Sequence, residues 1–346
     1  MKFDRRAPGE GIEAVCSLEN GKAVLEWKFY FTKTTENQET AQEGDTGSVG
    51  CCSAKSAGTV RFALADRQGN MVAEGIQPLW EEEPLRSILL QPRLWRGVQD
   101  PYLYRLEAIL TDRNGICLDR ISRHIALRTF SGAACAGTFS LNGEVFERRA
   151  VSYLPPEAAS EAERQRLMTE DLQQMLRLGA NCIYVQGRKG LGKLFLHLCD
   201  RLGLLLFDER DRDEHMGIRS AWAEAVPVFR GEKGCLFSNS GMPASLFYRY
   251  LAKWSEEPFV YIVPESVKRL ADGNYIVHCY SNCTKVALYS DGTLFAFQRG
   301  EGEFIFSEVP ARTPCILLAA EGDGCSASLS LSKLTCQSAE KSGICS

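Results

Sequence analysis

ERQRLMTEDLQQMLRLGANCIYVQGRKGLGKLFLHLCDRLGLLLFDE, residues 163–209, is the stretch that decides the fold. Its apolar residues recur at helical spacing as far as Gly179, a residue type that commonly ends helices. Ser160 can cap this helix, with Glu163 as its capping-box partner. The short apolar run NCIYVQ that follows is typical of a buried parallel strand. The longer segment 137–209 therefore predicts the order strand, helix, strand, helix, strand.

A second helix is predicted at about 191–202, followed by a strand that ends in two carboxylates. One face of this helix is apolar and comprises Leu191, Leu194, Phe195, Leu198 and Leu202. After Gly203, the run LLLFDE is apolar until Asp208 and Glu209. In parallel α/β folds, ligands bind at the carboxyl ends of strands. We therefore expect Asp208 and Glu209 to lie at a ligand-binding edge.

These motifs resemble glycoside hydrolase family 2, which includes β-galactosidases, β-glucuronidases and β-mannosidases. The ordered segments FSLNG, DLQQMLRLGAN and LCDRLGLLLFDE are similar to the first three strands of that family's catalytic barrel. The segment RDRDEHMG that follows is similar to one that carries a sugar-pocket histidine in the family, which places His215 at that position. Asp213 and Met216 stand where the family has Glu and Gly. The resemblance implies Asp208, Glu209 and His215 as candidate substrate-binding residues of a remnant pocket.

The barrel implied by this resemblance is incomplete. Only 123 residues separate Ser131 from Trp254, whereas a closed (β/α)₈ barrel takes roughly 250. The segment GCLFSNSGMPASLFYRYLAKW resembles the family's last barrel helix and its approach, so the sequence passes from about strand three to about strand eight. Three or four parallel strands cannot close a barrel, and their edges need a cover. We expect a flanking sandwich, a second copy of the chain or a partner chain to cover them.

The flanking regions predict β-sandwiches. LWRGVQDPYLYRL (94–106) and YIVHCYSNCTKVALYSDGTLFAF (275–297) resemble the immunoglobulin-like domains on either side of the family 2 barrel. We predict a multidomain, mainly β chain with an α/β part: an immunoglobulin-like sandwich at 1–131, a truncated (β/α) TIM-barrel remnant at 132–258, a C-terminal immunoglobulin-like sandwich at 259–334 and a tail at 335–346. Trp95 and Tyr104 are expected in the first sandwich core. The sugar-binding-type jelly roll that precedes this sandwich in full-length family members is expected to be absent or encoded elsewhere.

Composition excludes several classes of partner. A formal net charge of −4 gives no basic surface for nucleic acid. No apolar run approaches the roughly 20 residues that a membrane span needs. The start MKFDRRAPGEGIEAVC lacks the apolar core of a signal peptide, so we expect a cytoplasmic location. The 14 cysteines are expected to be reduced and mostly core-filling, as at Cys182, Cys199, Cys279 and Cys315.

The residues needed for catalysis are missing from the sequence. A retaining glycosidase needs two facing carboxylates. In family 2 the acid/base is the Glu of an Asn-Glu pair after strand four, and the nucleophile is a Glu after strand seven; this chain contains no Asn-Glu dipeptide. Tyr184 and Gly187 stand where the family has a pocket Arg and His. We therefore assign no catalytic residue, no metal ligand and no cofactor.

Three interpretations stay open. The chain is a non-catalytic carbohydrate-binding or interaction protein of family 2 descent, binding a β-linked carbohydrate or a partner. Alternatively, it is an active retaining O-glycosyl hydrolase of β-galactosidase type, completed by a partner chain or by the cluster of Asp208, Glu209 and His215. The third interpretation is an internally deleted gene product without a selected function.

Overall fold

The structure is a computed structural model that describes residues 1–5, 8–32, 58–81, 83–131, 139–185, 191–208, 226–310 and 315–332. The described residues are mainly β, as predicted, with three α-helices. They divide into two compact units. The first comprises Met1–Glu147 and Leu196–Leu205, and the second comprises most of the chain from Arg148 onward. No helix among the described residues is long and apolar enough to cross a bilayer.

The first unit is built from short antiparallel strands. Its strands are β1 (Lys2–Phe3), β2 (Ile12–Glu19), β3 (Lys22–Phe29), β4 (Phe31–Thr32), β5 (Gly58–Ala65), β6 (Met71–Pro78), β7 (Leu85–Leu89), β8 (Tyr104–Asp112), β9 (Cys117–Ile125), β10 (Phe130–Ser131), β11 (Ser140–Leu141) and β12 (Glu144–Val145). The sheets β2-β3-β7 and β6-β5-β8-β9 share one apolar core, so they form a sandwich. The immunoglobulin-like topology of this sandwich stays a prediction.

Trp95 and Tyr104 lie in the interior of the first unit, as predicted. Trp95 is fully buried, and its indole Nε1–H donates to the backbone oxygen of Asp200 at 2.8 Å. The Arg128 guanidinium lies 4.4 Å from the centre of the Trp95 ring and pairs with the Asp200 carboxylate at 2.8 Å. Packing and the hydrogen bond of the indole N–H thus hold the tryptophan in place, which indicates a structural role for Trp95.

An α/β layer follows, which belongs to the second unit except for Leu196–Leu205. Its elements are β13 (Ala150–Tyr153), α1 (Glu161–Leu178), β14 (Cys182–Val185), α2 (Gly192–Leu202), β15 (Leu205–Asp208), β16 (Val228–Gly231), β17 (Cys235–Ser238) and α3 (Ser245–Trp254). The strands form one five-stranded sheet in the order β15-β14-β13-β16-β17, and β13 pairs in parallel with both β14 and β16. The predicted strand–helix alternation is confirmed.

The ends of α1 follow the sequence signals with one difference. Ser160 Oγ accepts from the Glu163 backbone N–H at 3.2 Å, as the capping box requires. The Glu163 carboxylate, however, accepts from the N–H of Ala159 rather than from that of Ser160. Gly179 ends the helix with φ 86°, a left-handed conformation that glycine adopts without a steric cost.

The structure corrects two sequence-based expectations for the α/β layer. Three or four parallel strands were expected, but five are described, because β16 and β17 extend the sheet beyond β13. These two strands are parallel although only residues 232–234 separate them, and Gly234 turns the chain there with φ 66°. Leu194 was expected on the apolar face of α2, but it is exposed. The buried face of this helix contains Leu191, Phe195 and Cys199, which are spaced four residues apart, and Leu194 lies to the side of that row.

The rest of the second unit is a β-sandwich. Its strands are β18 (Val260–Ile262), β19 (Lys268–Arg269), β20 (Tyr275–Ser281), β21 (Lys285–Ser290), β22 (Thr293–Arg299), β23 (Gly302–Val309), β24 (Cys315–Gly322) and β25 (Cys325–Ser332). One sheet contains β18, β19, β20 and β23, the other has the order β22-β21-β24-β25, and one apolar core lies between them. Asp291 and Gly292 both have positive φ in the predicted β21–β22 hairpin turn. The four sequence-based domain boundaries stay predictions.

Gly179→Ala should destabilise the second unit more than Gly292→Ala. Both glycines have positive φ, which costs an alanine about 1 kcal/mol. A Cβ on Gly179 would also lie 2.5 Å from the Trp254 backbone oxygen, whereas one on Gly292 meets nothing within 4 Å. We expect a loss of about 3 kcal/mol for Gly179→Ala in urea unfolding. Equal losses for the two variants would refute this contact.

Candidate functional site

The predicted substrate-binding residues fall at the end of β15. Asp208 is the last residue of that strand, as predicted. Glu209 and His215 lie outside the described residues. The structure therefore gives the strand position of Asp208 but does not bring the three residues together. Their role as a remnant pocket stays a prediction.

A further carboxylate, which the sequence analysis missed, follows β16. Glu232 comes directly after the last residue of that strand and is exposed. Since β16 is parallel to β13, Glu232 lies at the carboxyl edge of the sheet, the edge at which parallel α/β folds bind ligands. The short run VFRGEK, which contains Glu232, has no strong strand signal. Glu232 was therefore not recognised as a residue at the end of a strand.

Asp208 and Glu232 follow strands that are far apart in the sheet. In the order β15-β14-β13-β16-β17, three strand spacings separate β15 from β16. At about 4.8 Å per spacing these strands lie roughly 14 Å apart. A retaining glycosidase holds its carboxyl groups about 5 to 5.5 Å apart, and an inverting enzyme about 6.5 to 9.5 Å. The strand order therefore does not favour this pair as a catalytic pair.

Beneath the sheet, a buried carboxylate joins three elements of the α/β layer. Asp171 on α1 is 2% exposed, and its Oδ2 accepts from the Tyr153 hydroxyl at 3.0 Å. Arg230 on β16 donates from Nη2 to its Oδ1. Burial raises the pKa of the Asp171 carboxyl, while the Arg230 charge and the Tyr153 hydrogen bond act in the opposite direction. Both oxygens of the carboxylate are thus engaged, which indicates a structural role.

Aromatic rings pack around this ion pair. The Tyr153 ring stacks on Phe195 with centroids 5.5 Å apart and an interplanar angle of 4°. Phe229 meets Tyr153 edge-on at 5.6 Å. Phe195 and Phe229 are fully buried. Tyr153 is the last residue of β13, but it is buried and its hydroxyl is directed to Asp171.

Tyr184 occupies the position at which the resemblance implies an arginine. It lies on β14 opposite Ser152 of β13 and is half-buried. A tyrosine hydroxyl cannot make the paired charged hydrogen bonds with which a guanidinium holds a carboxylate or sugar oxygen. Gly187, at the expected histidine position, lies outside the described residues.

Ser281 and Asn282 have structural roles in the turn between β20 and β21. The Asn282 side chain accepts from Phe259 N–H at 2.9 Å and donates to the backbone oxygens of Ser255 and Glu257 at 3.0 and 2.8 Å. Ser281 Oγ donates to the Phe259 oxygen at 2.7 Å. These side chains connect the sandwich to the segment after α3.

Across the parts of the chain that are described, no cluster of three or more His, Cys, Asp or Glu side chains could hold a metal ion.

Comparison with known proteins agrees with the motifs. No family model matches the sequence. Residues of this chain are 32% identical over 159 positions to the β-galactosidase BoGH2A of Bacteroides ovatus, which covers 44% of this chain and 18% of that protein. The aligned segment is thus less than a fifth of the relative's length.

Solved structures share the fold. An FMN-binding β-glucuronidase from Facaelibacterium prausnitzii L2-6 superposes with a TM-score of 0.73 at 17% identity, over 96% of this chain and 75% of that one. A glycosyl hydrolase family 2 member from Bacteroides cellulosilyticus gives a TM-score of 0.64 at 14% identity, over 93% and 63%. The resemblance predicted from the motifs is confirmed: this chain is similar in sequence to a β-galactosidase and in fold to family 2 glycoside hydrolases.

Arg230→Met should destabilise the second unit by about 3 kcal/mol, because it leaves the buried Asp171 carboxylate without its charged partner. The loss should be smaller at about pH 5 than at pH 8, since the pKa of Asp171 is already raised by burial and protonation removes the unpaired charge. Urea unfolding at both pH values measures this difference.

The matched control is the double variant Asp171→Asn with Arg230→Met. It retains a partner for Tyr153 but contains no buried charge, so its loss should be smaller and nearly independent of pH in this range. A single variant as stable as wild type, or a double variant less stable than the single one, would contradict the account of this ion pair.

Proposed function

We propose that this chain is a non-catalytic member of glycoside hydrolase family 2, with a truncated barrel remnant that binds a β-linked carbohydrate or a partner protein. The observation that carries the proposal is the strand order of the five-stranded sheet. Asp208 ends β15 and Glu232 follows β16, three strand spacings away, which does not favour the two-carboxylate chemistry of glycoside hydrolysis.

Two features of the sequence support the same conclusion. The chain contains no Asn-Glu dipeptide, the motif that carries the acid/base in the family it resembles. Tyr184 and Gly187 replace the pocket Arg and His. The absent Asn-Glu dipeptide removes the group that transfers a proton, and the replaced Arg and His remove groups that bind the sugar. Losses at several independent positions support a chain that is no longer selected for catalysis, rather than one tolerated substitution.

Carbohydrate binding is the part of the proposal that rests on the family relationship. The similar proteins are named as a β-galactosidase and a β-glucuronidase, and both names describe enzymes that act on β-linked sugars. In this chain the remnant pocket would consist of Asp208, Glu209 and His215 at the end of β15. Carboxylates and a histidine at the mouth of a parallel sheet can hydrogen-bond sugar hydroxyls without any cofactor.

The sheet edges support a partner. Within the described residues, β15 and β17 are the terminal strands of the five-stranded sheet. Terminal strands offer unpaired backbone groups to another chain. We therefore include a second copy of this chain, or a separate chain that carries further barrel strands, in the proposal.

A cytoplasmic location is also part of the proposal. Eight cysteines within the described residues are free thiols, and Cys182, Cys199 and Cys279 are buried as core-filling residues. Reduced thiols of this kind are typical of proteins in a reducing compartment.

The purified chain should not hydrolyse chromogenic β-galactosides, β-glucuronides or β-mannosides above the buffer rate. Glu209→Gln and Glu232→Gln should give the same result as wild type, because the proposal assigns neither carboxylate a catalytic role. Hydrolysis by wild type that Glu209→Gln abolishes would overturn the proposal and support an active retaining enzyme instead.

Binding distinguishes a carbohydrate-binding protein from one that binds only a partner. Titration calorimetry with the corresponding β-linked disaccharides should give heat that Glu209→Gln reduces and Glu232→Gln leaves unchanged. Light scattering on the same samples measures assembly. A monomer without sugar binding and without hydrolysis would contradict both forms of the proposal.

A further inference from the structure

Two cysteines of the C-terminal sandwich lie close together although 42 positions separate them in the sequence. The Sγ atoms of Cys283 and Cys325 are 3.6 Å apart. Cys283 is buried in the turn between β20 and β21, and Cys325 is the half-buried first residue of β25. The two Sγ atoms need to approach each other by less than about two ångströms to reach about 2.05 Å, the length of a disulfide bond, and rotation of the side chains can supply this movement.

A glycine makes this approach possible. Gly322 is paired with Cys325 across the β24–β25 hairpin. A Cβ at Gly322 would lie 2.9 Å from Cys283 Cβ and 3.0 Å from Cys283 Sγ. Any larger residue at 322 would push the hairpin away from the Cys283 turn. The close contact of the two thiols therefore depends on the absence of this side chain.

Solvent reaches one thiol of the pair. A cavity of about 520 Å³ is lined by Lys285, Ala287, Tyr289, Glu321, Gly322, Asp323, Gly324, Cys325 and Ser326. Cys325 thus opens to a space that can admit a small molecule, whereas Cys283 is 2% exposed behind it. The arrangement thus places an accessible thiol, Cys325, next to a buried thiol, Cys283, that can displace a group bound to it.

We propose that Cys283 and Cys325 are a thiol modification site that forms an intramolecular disulfide by exchange with a small-molecule disulfide such as oxidised glutathione. The Cys325 thiolate attacks one sulfur of oxidised glutathione, and one glutathione thiol leaves. Cys283 then attacks the Cys325 sulfur, and the second glutathione thiol leaves. The two cysteines are oxidised by two electrons, the glutathione disulfide is reduced, and the two protons end on the released thiols.

The exchange should accelerate with pH. Burial raises the pKa of Cys325 to about 11, with Cys283 adding to the effect. Since the thiolate is the attacking species, the rate should rise about tenfold for each pH unit below this value. The pair should consequently be stable as thiols in a reducing environment and respond to sustained oxidation.

The disulfide would connect the β24–β25 hairpin with the turn that holds the sandwich to the segment after α3. Cys283 follows Ser281 and Asn282, whose side chains bind the backbone of residues 255–259. Oxidation would tie this turn covalently to the β24–β25 hairpin and close a loop of 42 residues. A closed loop of that size restricts the unfolded chain, so the oxidised protein should have a higher unfolding midpoint than the reduced one.

Peptide mass spectrometry tests the proposal on the full chain. The folded protein is incubated with oxidised glutathione at about pH 8.5, free thiols are alkylated after denaturation, and the digest is analysed with and without dithiothreitol. We expect one linked peptide pair containing Cys283 and Cys325, lighter by two hydrogen atoms than the reduced peptides and lost on reduction. The unfolding midpoint should rise by several degrees.

Two variants separate this site from general cysteine oxidation. Cys279→Ser removes a buried thiol from the neighbouring strand β20 and should leave the linked pair unchanged. Gly322→Ala retains both thiols but moves them apart, so it should reduce the yield of the linked pair at least tenfold while circular dichroism shows a folded protein. Recovery of Cys283 and Cys325 as separately alkylated peptides, or of Cys325 only as a glutathione adduct, would overturn the proposal.

Discussion

The buried carboxylate of Asp171 is the constraint on which the α/β layer depends. A charge this far from solvent is stable only when both of its oxygens have partners. Tyr153 of β13 and Arg230 of β16 supply them, so α1 is fixed to two neighbouring strands at once. β16 pairs with β13 on the side opposite β14, and the ion pair of Asp171 with Arg230 holds α1 against that strand.

That order has a functional consequence. Glycoside hydrolysis needs two carboxyl groups on opposite sides of one bond. The sheet presents Asp208 and Glu232 after strands three spacings apart, and the sequence lacks the Asn-Glu motif of the family it resembles. The polar side chains nearer the centre, Tyr153 and Tyr184, are held by packing or by strand pairing. The chain thus shares its fold with a family 2 glycoside hydrolase, and its strand order separates Asp208 from Glu232 by three strand spacings.

Local signals in the sequence were sufficient for most of the fold. The Ser160 cap, the apolar spacing of α1 and Gly179 predicted that helix within a residue, because each acts within one or two turns. The strands β16 and β17 were missed because they lie outside the recognised strand–helix motifs and only residues 232–234 separate them, whereas parallel neighbours usually need a crossover of a dozen or more residues. Of the candidate site, Asp208 was placed correctly at a strand end, and Glu232 could not be recognised before β16 was known.

The most direct test of the absent carboxylate pair is covalent trapping. Retaining glycosidases form a glycosyl-enzyme intermediate on their nucleophile, and a 2-deoxy-2-fluoro glycoside with an activated leaving group accumulates it. Intact mass spectrometry of the chain after incubation with the fluorinated β-galactoside and β-glucuronide should show the unmodified mass. A stoichiometric adduct of one sugar, mapped to an Asp or Glu, would show that a nucleophile and an acid face each other and would contradict the account.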